Sequence, residues 1–413
     1  MTYSAPRTPM RLTHLSLTDF RNFARLDVDV PPGVTLLLGE NAQGKTSLLE
    51  AVYYLATFTS FHASHDRQLV NFIAGRQPLA VGRIVADYNR GGKAHRLEIR
   101  LIQEVTRTNG TRLRKEVLLD GAKRKIGRVI GHFNAVLFLP QMMQVIEGPP
   151  SGRRRYLNLL LSQTVPNYAA DLSAYAKAVT QRNALLKSLA ERGGDPDQLT
   201  FWDDQIAKTG SALIEARIHA VQELESLAAI THSDLTRGAE ILRLVYQPAY
   251  DPLPRIPGQI SMPLDAPADR TGIPRSEIET GFRNALARKR GEEIARGQTT
   301  LGPHRDELRF LANGIDLGIY GSRGQVRTAM LALKIAEVSW MHGKTGHWPV
   351  LLLDEVLAEL DPQRRADLLK QLVQAEQSLL TTTDLDLFTP AFVQNARRWY
   401  LREGRIAHVN GKP

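Results

Sequence analysis

The chain has 413 residues, of which 43% are hydrophobic, and its 53 lysines and arginines exceed its 43 acidic residues to give a net charge of +10. This composition is typical of a folded protein with two or three lobes and excludes an intrinsically disordered chain. The absence of cysteine excludes disulfide frameworks, cysteine-based zinc sites and thiol catalysis.

No stretch of the sequence approaches the roughly 20 apolar residues that a bilayer span requires, and the N-terminus MTYSAPRTPMRL lacks the apolar core of a signal peptide. We therefore expect a cytoplasmic protein that has no membrane partner. The basic excess favours a polyanionic partner, although a solvated basic surface would give the same net charge.

The N-terminal region predicts strands that lead into a nucleotide site. Residues 12–20 and 26–30 alternate between apolar and polar side chains as half-buried strands do, and residues 34–38 form an apolar run. GENAQGKT (39–46) follows this run and matches the phosphate-loop pattern G-x-x-x-x-G-K-[ST]. Apolar residues at helical spacing come next. This context favours a phosphate loop over the alternative, a glycine turn beside an accidental lysine.

Each residue type in this loop has a physical task. Gly39 and Gly44 allow backbone N–H groups to turn toward phosphate oxygens at the positive end of the following helix. We expect Lys45 to bridge the β- and γ-phosphates and Thr46 to offer its hydroxyl to Mg²⁺. The predicted cofactors are therefore ATP and Mg²⁺. The loop residues expected to bind ATP are Gly39, Glu40, Asn41, Ala42, Gln43, Gly44, Lys45, Thr46 and Ser47.

The next stretch predicts antiparallel strands and then a helical insert. Residues 94–125 alternate around two hairpin signals, Asn109-Gly110 and Asp120-Gly121. From about Ser151, apolar residues recur three and four apart, which is typical of helices.

A Pro-rich segment follows the insert, and then a basic helix is predicted from Arg275 to about Arg296. Strand signals return after it, with a hairpin at Asn313-Gly314. We predict three parts, of which the first and third form one discontinuous head: an N-terminal head part (1–150), a helical insert lobe (151–297) and a C-terminal head part (298–413).

A second part of a hydrolysis site follows downstream. VLLLDE (350–355) is a continuous apolar run that ends in two acids, as expected for a buried strand that delivers carboxylates to its C-terminal edge. We expect Asp354 to hold Mg²⁺ and Glu355 to polarise the attacking water. The alternative is a buried strand that merely ends at an acidic turn, and the phosphate loop upstream disfavours it.

The segment before this strand, YGSRGQVRTAMLALKIAEV (320–338), is similar to the S-x-G-Q motif of ABC-type ATPases. Ser322, Gly324 and Gln325 stand in the matching places. A helix N-cap and turn would explain the same residues in isolation. Their position ahead of the acidic strand favours the motif.

With LSLTDFRNF (15–23), GPPSGRRRYLN (148–158) and LGPHRDEL (301–308), the motifs make the chain resemble the RecF family of SMC-like DNA-repair ATPases nearly end to end. The resemblance implies an α/β fold, an ABC-type P-loop ATPase head with an antiparallel β lobe, interrupted by a helical second lobe. It also implies a homodimer in which the S-x-G-Q segment of one subunit caps the γ-phosphate held by the other.

The resemblance implies further site residues. Asp361 in LAELD matches an acid of the loop after the acidic strand, and Gln141 matches a glutamine that senses Mg²⁺ and the γ-phosphate. The additional ATP-binding residues implied in this way are Gln141, Ser322, Gly324, Gln325, Asp361 and Thr383. The catalytic residues implied are Lys45, Asp354 and Glu355, and the Mg²⁺ ligands are Thr46, Asp354 and Gln141.

Three positions depart from the family pattern. Arg323 occupies a place that is often glutamine or glycine, and His62 replaces a common arginine. Thr383 stands where many ABC ATPases carry a histidine. A threonine can hydrogen-bond phosphate but cannot act as a cation, so the contacts at these places differ from those of the family.

The resemblance implies an ATP-dependent DNA-binding protein of recombinational repair and replication restart. It would be a weak DNA-stimulated ATPase that binds duplex or gapped DNA and acts with RecR, RecO and, indirectly, RecA. An ABC transporter ATPase subunit stays an alternative, although the insert is larger than those of transport ATPases. The basic residues that fit phosphate contacts are Arg112, Arg114, Lys115, Lys123, Arg124, Lys125, Arg153, Arg154, Arg155, Arg288, Lys289 and Arg290. Each basic cluster has the alternative of a solvated surface.

Overall fold

A computed structural model describes residues 10–105, 110–253 and 267–409. The chain divides into two compact units: Met1–Gln141 with Met341–Pro413, here the first unit, and Met142–Trp340, here the second unit. The predicted turn residue Asn109 and residues 254–266 of the Pro-rich segment lie outside the described residues.

The strands of the described ranges are β1 (Arg11–Phe20), β2 (Phe23–Asp29), β3 (Gly33–Leu38), β4 (Leu79–Arg90), β5 (Lys93–Val105), β6 (Thr111–Leu119), β7 (Ala122–Lys123), β8 (Ala135–Phe138), β9 (Leu242–Gln247), β10 (Glu307–Ala312), β11 (Ile315–Asp316), β12 (Val350–Asp354), β13 (Gln377–Thr382), β14 (Arg397–Arg402) and β15 (Arg405–Val409). The helices of those ranges are α1 (Lys45–Thr57), α2 (Ile126–Val129), α3 (Gln144–Glu147), α4 (Pro150–Thr164), α5 (Tyr168–Arg192), α6 (Thr200–Thr236), α7 (Arg275–Arg296), α8 (Leu317–Tyr320), α9 (Arg323–Thr345), α10 (Pro362–Gln374) and α11 (Pro390–Asn395). None of these helices combines the length and apolarity that crossing a membrane requires.

One sheet of the first unit is antiparallel, in the order β2-β1-β4-β5-β6-β7. Its strands alternate because one face packs on the core, and β1 buries Leu12, Leu15 and Leu17 completely. The spacing of these leucines changes where the pairing of β1 with β4 shifts register between Leu12 and His14. The antiparallel lobe predicted from the alternation is therefore confirmed.

The other sheet of the first unit positions the site. Its order is β15-β14-β3-β13-β12-β8, and β14, β3, β13, β12 and β8 are parallel. Every residue of β12 is buried, as expected for a central parallel strand. Leu38 at the end of β3 is in register with Thr382, and Asp354 is in register with Thr381. The phosphate loop and the acidic strand therefore end at the same edge of the sheet.

The second unit contains the long helices α4 to α7 and a three-stranded antiparallel sheet in the order β11-β10-β9. Close approach of α6 to its neighbours requires Gly210, since a Cβ there would lie 2.7 Å from Phe282 and 3.0 Å from Tyr175. The basic helix α7 has the predicted bounds. Residues 298–340, grouped with the head from the sequence, lie in this unit because β10 pairs with β9. The three-part domain division stays a prediction.

Two of the predicted hairpin turns fall within the described residues and are confirmed. Asp120 and Gly121 have φ of 51° and 76°, and Asn313 and Gly314 have φ of 49° and 78°. Positive φ at both central residues is the type I′ signature, whose twist matches that of the flanking strands. A similar turn at Gly91-Gly92 joins β4 to β5 and was not predicted.

A buried charge network ties the helices of the second unit together. Arg182 of α5 is fully buried, and its Nε lies 2.7 Å from Oδ1 of Asp203 on α6. Its NH1 lies 2.6 Å from Oε2 of Glu293 on α7 and donates to Thr299 Oγ1 at 3.0 Å. Arg290 binds the other oxygen of Asp203 at 2.8 Å. Because both acids are buried away from solvent, their charges depend on these arginines for compensation.

Replacing Arg182 with methionine should lower the free energy of unfolding by about 3–5 kcal/mol, because Asp203 and Glu293 would keep buried charges with one cation fewer. Urea denaturation followed by circular dichroism measures this loss. The control is Arg192→Met at the exposed end of the same helix, which should change stability by no more than about 0.5 kcal/mol. Equal unfolding midpoints for the two variants would contradict the structural role of Arg182.

Candidate functional site

The phosphate loop lies between β3 and α1. Its two glycines adopt backbone conformations that disfavour a side chain, and neighbouring atoms leave no space for one. Gly39 has a φ of 147° and Gly44 a φ of 109°, values that residues with a side chain rarely adopt. A Cβ on Gly39 would lie 2.5 Å from the carbonyl oxygen of Leu401, and one on Gly44 would lie 2.7 Å from Nδ2 of Asn22. The loop backbone is thus held between two neighbouring segments, with no room for larger residues.

Lys45 places a buried cation against this loop. Its side chain is 4% exposed, and Nζ donates to the carbonyl oxygens of Gly39 at 2.6 Å and Glu40 at 3.3 Å. The same Nζ lies 3.5 Å from Oε1 of Glu355. Two carbonyl groups fix the ammonium at the mouth of the loop, where an anionic phosphate would meet it.

Asp354 connects the acidic strand to the helix after the loop. Thr46 Oγ1 donates to Asp354 Oδ1 at 3.0 Å, and Thr381 Oγ1 donates to the same oxygen at 2.7 Å. Thr381 Oγ1 also accepts the backbone N–H of Glu355 at 3.0 Å. Glu355 has a φ of 53° and a side chain that is 46% exposed. Asp354 is therefore held inward and Glu355 is turned outward.

The oxygen atoms of Thr46 and Asp354 are suitable ligands for Mg²⁺. A threonine hydroxyl and a carboxylate oxygen lie within hydrogen-bond distance of each other at the mouth of the loop. Mg²⁺ prefers oxygen ligands and keeps several waters, so one hydroxyl, one carboxylate and substrate phosphates suffice. Groups of three or more His, Cys, Asp or Glu residues that would form an all-protein metal cage are absent from the described part of the chain.

A cavity of about 600 Å³ opens beside these groups. Its volume and its lining of mostly polar and charged side chains suit a nucleoside triphosphate. The lining residues are Arg21, Asn22, Asn41, Ala42, Gly44, Lys45, Thr46, Ser47, Glu50, His62 and Glu355. His62, noted as a departure from the family, therefore lies in the wall of this cavity.

Sequence reasoning missed three of the lining residues, Arg21, Asn22 and Glu50. Glu50 is 1% exposed in α1, and Arg21 binds it through Nε at 2.6 Å and NH2 at 2.8 Å. Ser60 also donates to the Glu50 carboxylate. A single acid within the otherwise apolar helix stretch LLEAVYYLA was the signal that could have found Glu50, but nothing in the local sequence indicated its partner.

A second cavity, of about 1040 Å³, lies on the other side of the phosphate loop. Thr383 lines it, together with loop residues Gly39, Glu40, Asn41 and Gln43. The loop is tied to the turn after β14, because Gln43 Oε1 accepts the backbone N–H of Glu403 at 2.7 Å. Thr383 thus lies beside the loop, and its role toward phosphate stays a prediction.

Gln141 and Asp361 lie near strand ends of the same sheet. Gln141 is exposed in a short turn, Pro140–Met143, that follows the C-terminal end of β8. Asp361 caps α10, since its carboxylate accepts the N–H of Arg364 at 3.0 Å and pairs with the Arg364 guanidinium at 2.8 Å. Bonding to the Arg364 backbone is the main cause that lowers the pKa of Asp361. Neither residue lines the first cavity.

The S-x-G-Q segment lies in the second unit and begins α9. Ser322 Oγ accepts the N–H of Gln325 at 3.2 Å, and Gln325 Oε1 accepts the N–H of Ser322 at 3.0 Å. This reciprocal pair is a capping box. Gln325 Nε2 also donates to Glu240 at 2.8 Å. Ser322 and Arg323 are exposed, so the helix end and its serine face solvent.

Among the basic residues of the first unit, Lys115 is committed to the fold. Its Nζ donates to the Phe58 carbonyl at 2.9 Å, pairs with Asp66 at 2.8 Å and lies 4.7 Å from the Tyr54 ring centre. Other side chains share one acid, since Arg114 and Lys123 pair with Glu116 at 3.2 and 2.7 Å. Among the basic residues predicted to contact DNA in the first unit, Arg112, Arg124 and Lys125 are exposed and form no ion pair within the described ranges.

The basic residues of the second unit also differ from one another. Arg290 pairs with Asp203 and Asp197, and Lys289 pairs with Glu292 at 2.5 Å, while Arg288 is exposed. Arg153 pairs with Glu307 at 2.6 Å, Arg154 donates to a backbone carbonyl and Arg155 is exposed. DNA contact by these clusters stays a prediction, and charge reversal of a whole cluster would also break internal ion pairs.

The amino-acid sequence of the chain matches the sequences of known DNA replication and repair proteins. Residues 11–404 match the family model described as RecF/RecN/SMC N terminal domain. The chain is 40% identical over 412 residues to the DNA replication and repair protein RecF of Roseiflexus castenholzii, covering 96% of this chain and 99% of the relative. It is 41% identical over 409 residues to RecF of Chloroflexus aurantiacus, with 96% and 99% covered.

Solved structures agree with the sequence matches. The recombination mediator protein RecF in complex with ATP, of the RecFOR pathway, superposes with a TM-score of 0.81 at 28% identity, covering 100% of both chains. An Smc head domain from Pyrococcus furiosus, with an extended coiled coil, gives a TM-score of 0.51 at 15% identity, covering 96% of this chain and 95% of that chain. The second likeness concerns the fold alone. The predicted fold, an ABC-type P-loop ATPase head with an antiparallel β lobe and a helical lobe, is confirmed.

Replacing Thr381 with valine should slow ATP hydrolysis about 10–100-fold, because it frees the Asp354 carboxylate and the Glu355 backbone N–H that Thr381 holds. ATP binding without Mg²⁺ should change little. Steady-state phosphate release and binding of a fluorescent ATP analogue measure the two effects.

The matched control is Thr35→Val on β3, a fully buried threonine whose Oγ1 has no hydrogen-bond partner within the described residues. The same chemical change there should leave hydrolysis intact. A similar loss in both variants would show that the effect comes from packing and not from Asp354.

Proposed function

The chain belongs to the RecF family of DNA replication and repair proteins, and from that premise we propose that it is an ATP-dependent DNA-binding protein of recombinational repair and replication restart. It dimerises on ATP, binds duplex or gapped DNA and helps to load a recombinase on single-stranded gaps. The observation that carries the proposal is the meeting of Lys45, Thr46 and Asp354 at one sheet edge. The exposed start of α9, which carries the S-x-G-Q segment, supplies the second set of contacts to an ATP bound between two subunits.

The phosphate loop holds the triphosphate by charge and by backbone N–H groups. Lys45 moves from the loop carbonyls to the β- and γ-phosphates, and α1 directs its positive end toward them. Thr46 and Asp354 would hold Mg²⁺, which would neutralise phosphate charge at this site. The nucleoside would occupy the remainder of the cavity, whose wall includes Asn22 and His62.

Glu355 acts as the group that positions and polarises the attacking water. Its side chain points outward, and its backbone is fixed by Thr381. Phosphoryl transfer depends on positioning and electrostatic stabilisation more than on covalent chemistry, so a single well-placed carboxylate is sufficient. The resulting ATPase is weak and DNA-stimulated, and hydrolysis resets the dimer.

The cap on the γ-phosphate comes from a second copy of the chain. Ser322 is exposed at the N-terminus of the 23-residue helix α9, where backbone N–H groups and a hydroxyl favour an anion. Two such caps close a two-fold dimer around two nucleotides. Gln141, Asp361 and Thr383 complete each site, in the roles that the family resemblance implies.

The dimer binds DNA through phosphate contacts, and RecR, RecO and, indirectly, RecA are its partners. Similarity to a recombination mediator protein of the RecFOR pathway supports these partners. The transport alternative is not favoured, because relatives that match nearly the whole chain are DNA replication and repair proteins.

DNA binding should require ATP. We expect Lys45→Met to abolish ATP-dependent binding of a fluorescent duplex with a single-strand gap, because the variant lacks the phosphate-loop cation. Glu355→Gln should keep that binding and slow hydrolysis by about 10²–10⁴-fold. Fluorescence anisotropy and phosphate release measure the two properties. Full hydrolysis by Glu355→Gln would refute its role, and equal DNA binding with and without ATP would refute ATP-dependent DNA binding.

Ser322→Arg should block ATP-induced dimerisation while the monomer still binds ATP, because a bulky cation replaces the cap. Multi-angle light scattering with and without ATP measures the mass. The control is Ser173→Arg, which adds the same charge at an exposed position of α5 and should dimerise normally. A Ser322→Arg protein that still doubles its mass would exclude a cap supplied in trans.

A further inference from the structure

Two arginines of the second unit, Arg154 and Arg305, lie in or beside the loop that precedes β10 and are close enough to repel each other. Arg154 is half-buried on α4, and its NH1 donates to the carbonyl oxygen of Asp306 at 2.9 Å. Arg305 is exposed in the loop itself, where NH2 donates to Gln298 Oε1 at 3.0 Å and approaches the Thr299 carbonyl at 3.5 Å. All of these acceptors are neutral, so neither guanidinium is paired with a carboxylate within the described residues.

The two acids next to them are already occupied by other cations. Asp306 is 1% exposed, and its carboxylate accepts Arg217 NH1 at 2.6 Å, the Tyr246 hydroxyl and the Ala249 N–H at 2.9 Å. Glu307 binds Arg153 through both oxygens, at 2.6 and 2.8 Å. Asp306 therefore neutralises Arg217, and Glu307 neutralises Arg153. Within the described residues, the charges of Arg154 and Arg305 are not neutralised by a carboxylate.

Packing fixes the loop that carries Arg305. Gly302 has a φ of 115°, and a Cβ there would lie 2.4 Å from the Tyr175 hydroxyl. His304 places Nδ1 2.6 Å from that hydroxyl and Nε2 3.2 Å from the Thr299 carbonyl. Because a carbonyl can only accept, Nε2 carries the proton and Nδ1 accepts from the tyrosine. Burial lowers the pKa of His304, which keeps the ring neutral.

The electrostatics of Arg154 favour the approach of an anion. Burial is the largest cause that lowers the pKa of Arg154, and the positive charges of Arg217 and Arg305 act in the same direction against Asp306 and Glu307. An anion that approached both guanidinium groups would replace the hydration that Arg154 loses on burial and would reduce the repulsion between the two positive charges. Guanidinium groups bind phosphate oxygens through paired, charge-assisted hydrogen bonds.

We propose that Arg154 and Arg305 form a binding site for a backbone phosphodiester of DNA, and that Arg153, although adjacent in sequence, is a positioning residue that holds Glu307. The inference rests on the proposed function, because it assigns one contact of the DNA that the dimer binds. A phosphate at this place fixes the register of the DNA backbone and carries no sequence information.

The test measures ATP-dependent binding of a fluorescent DNA duplex by the full-length protein as potassium chloride is varied. The variants are Arg154→Gln, Arg305→Gln and the double variant. For the double variant, the slope of log affinity against log salt should become shallower by about 0.9 for each DNA phosphate that the protein no longer neutralises, and a dimer carries two copies of the site. Arg154→Lys should recover part of the affinity, because a lysine keeps the charge but not the paired geometry.

Arg192→Gln removes an exposed positive charge elsewhere in the second unit and should keep the parent slope. Thermal unfolding and ATP binding should match the parent for Arg305→Gln, whose side chain is exposed and contacts only Gln298 and Thr299 within the described residues. Unchanged slopes in Arg305→Gln and the double variant would overturn this site and leave the proposed function intact. Absence of DNA binding by the parent protein would overturn both.

Discussion

The hydrogen bonds that converge on Asp354 are the constraint on which the nucleotide site depends. Thr46 lies in the first turn of α1, Thr381 lies near the end of β13, and both donate to one carboxylate oxygen. Parallel pairing brings the three segments to one edge, but parallel strands alone do not fix side chains to a fraction of an ångström. The shared oxygen does so, and through Thr381 it also fixes the peptide of Glu355.

In the second unit, the long helices pack around buried charged residues. Arg182 and Arg217 are both almost fully buried, and each contacts acids or hydroxyls from several elements. A buried ion pair contributes little net stability, but its removal is costly. Because Asp306 follows Arg305 directly, its pair with Arg217 also anchors the loop of Arg305 to α6.

Local patterns were sufficient to predict the phosphate loop, the acidic strand and the bounds of α7, because each depends on spacing within a short stretch. Pairing between distant residues was not predictable. The sequence shows three consecutive arginines at 153–155, yet only the structure distinguishes Arg153, which binds Glu307, from Arg154, which meets a carbonyl. Arg21 and Glu50 were missed for the same reason. A charge pattern reports the number of cations, whereas function depends on which of them remain unneutralised.

The capping box at the start of α9 restricts which residue can stand at position 322. Aspartate and asparagine cap helices as well as serine does. Aspartate would repel a phosphate from a second copy of the chain, and the asparagine oxygen that caps a helix has no hydrogen to give. Ser322 Oγ accepts from Gln325 with a lone pair and keeps its own hydrogen available. One atom can therefore cap the start of α9 and still donate to a phosphate, so that closing the proposed dimer would break no bond already present in the monomer.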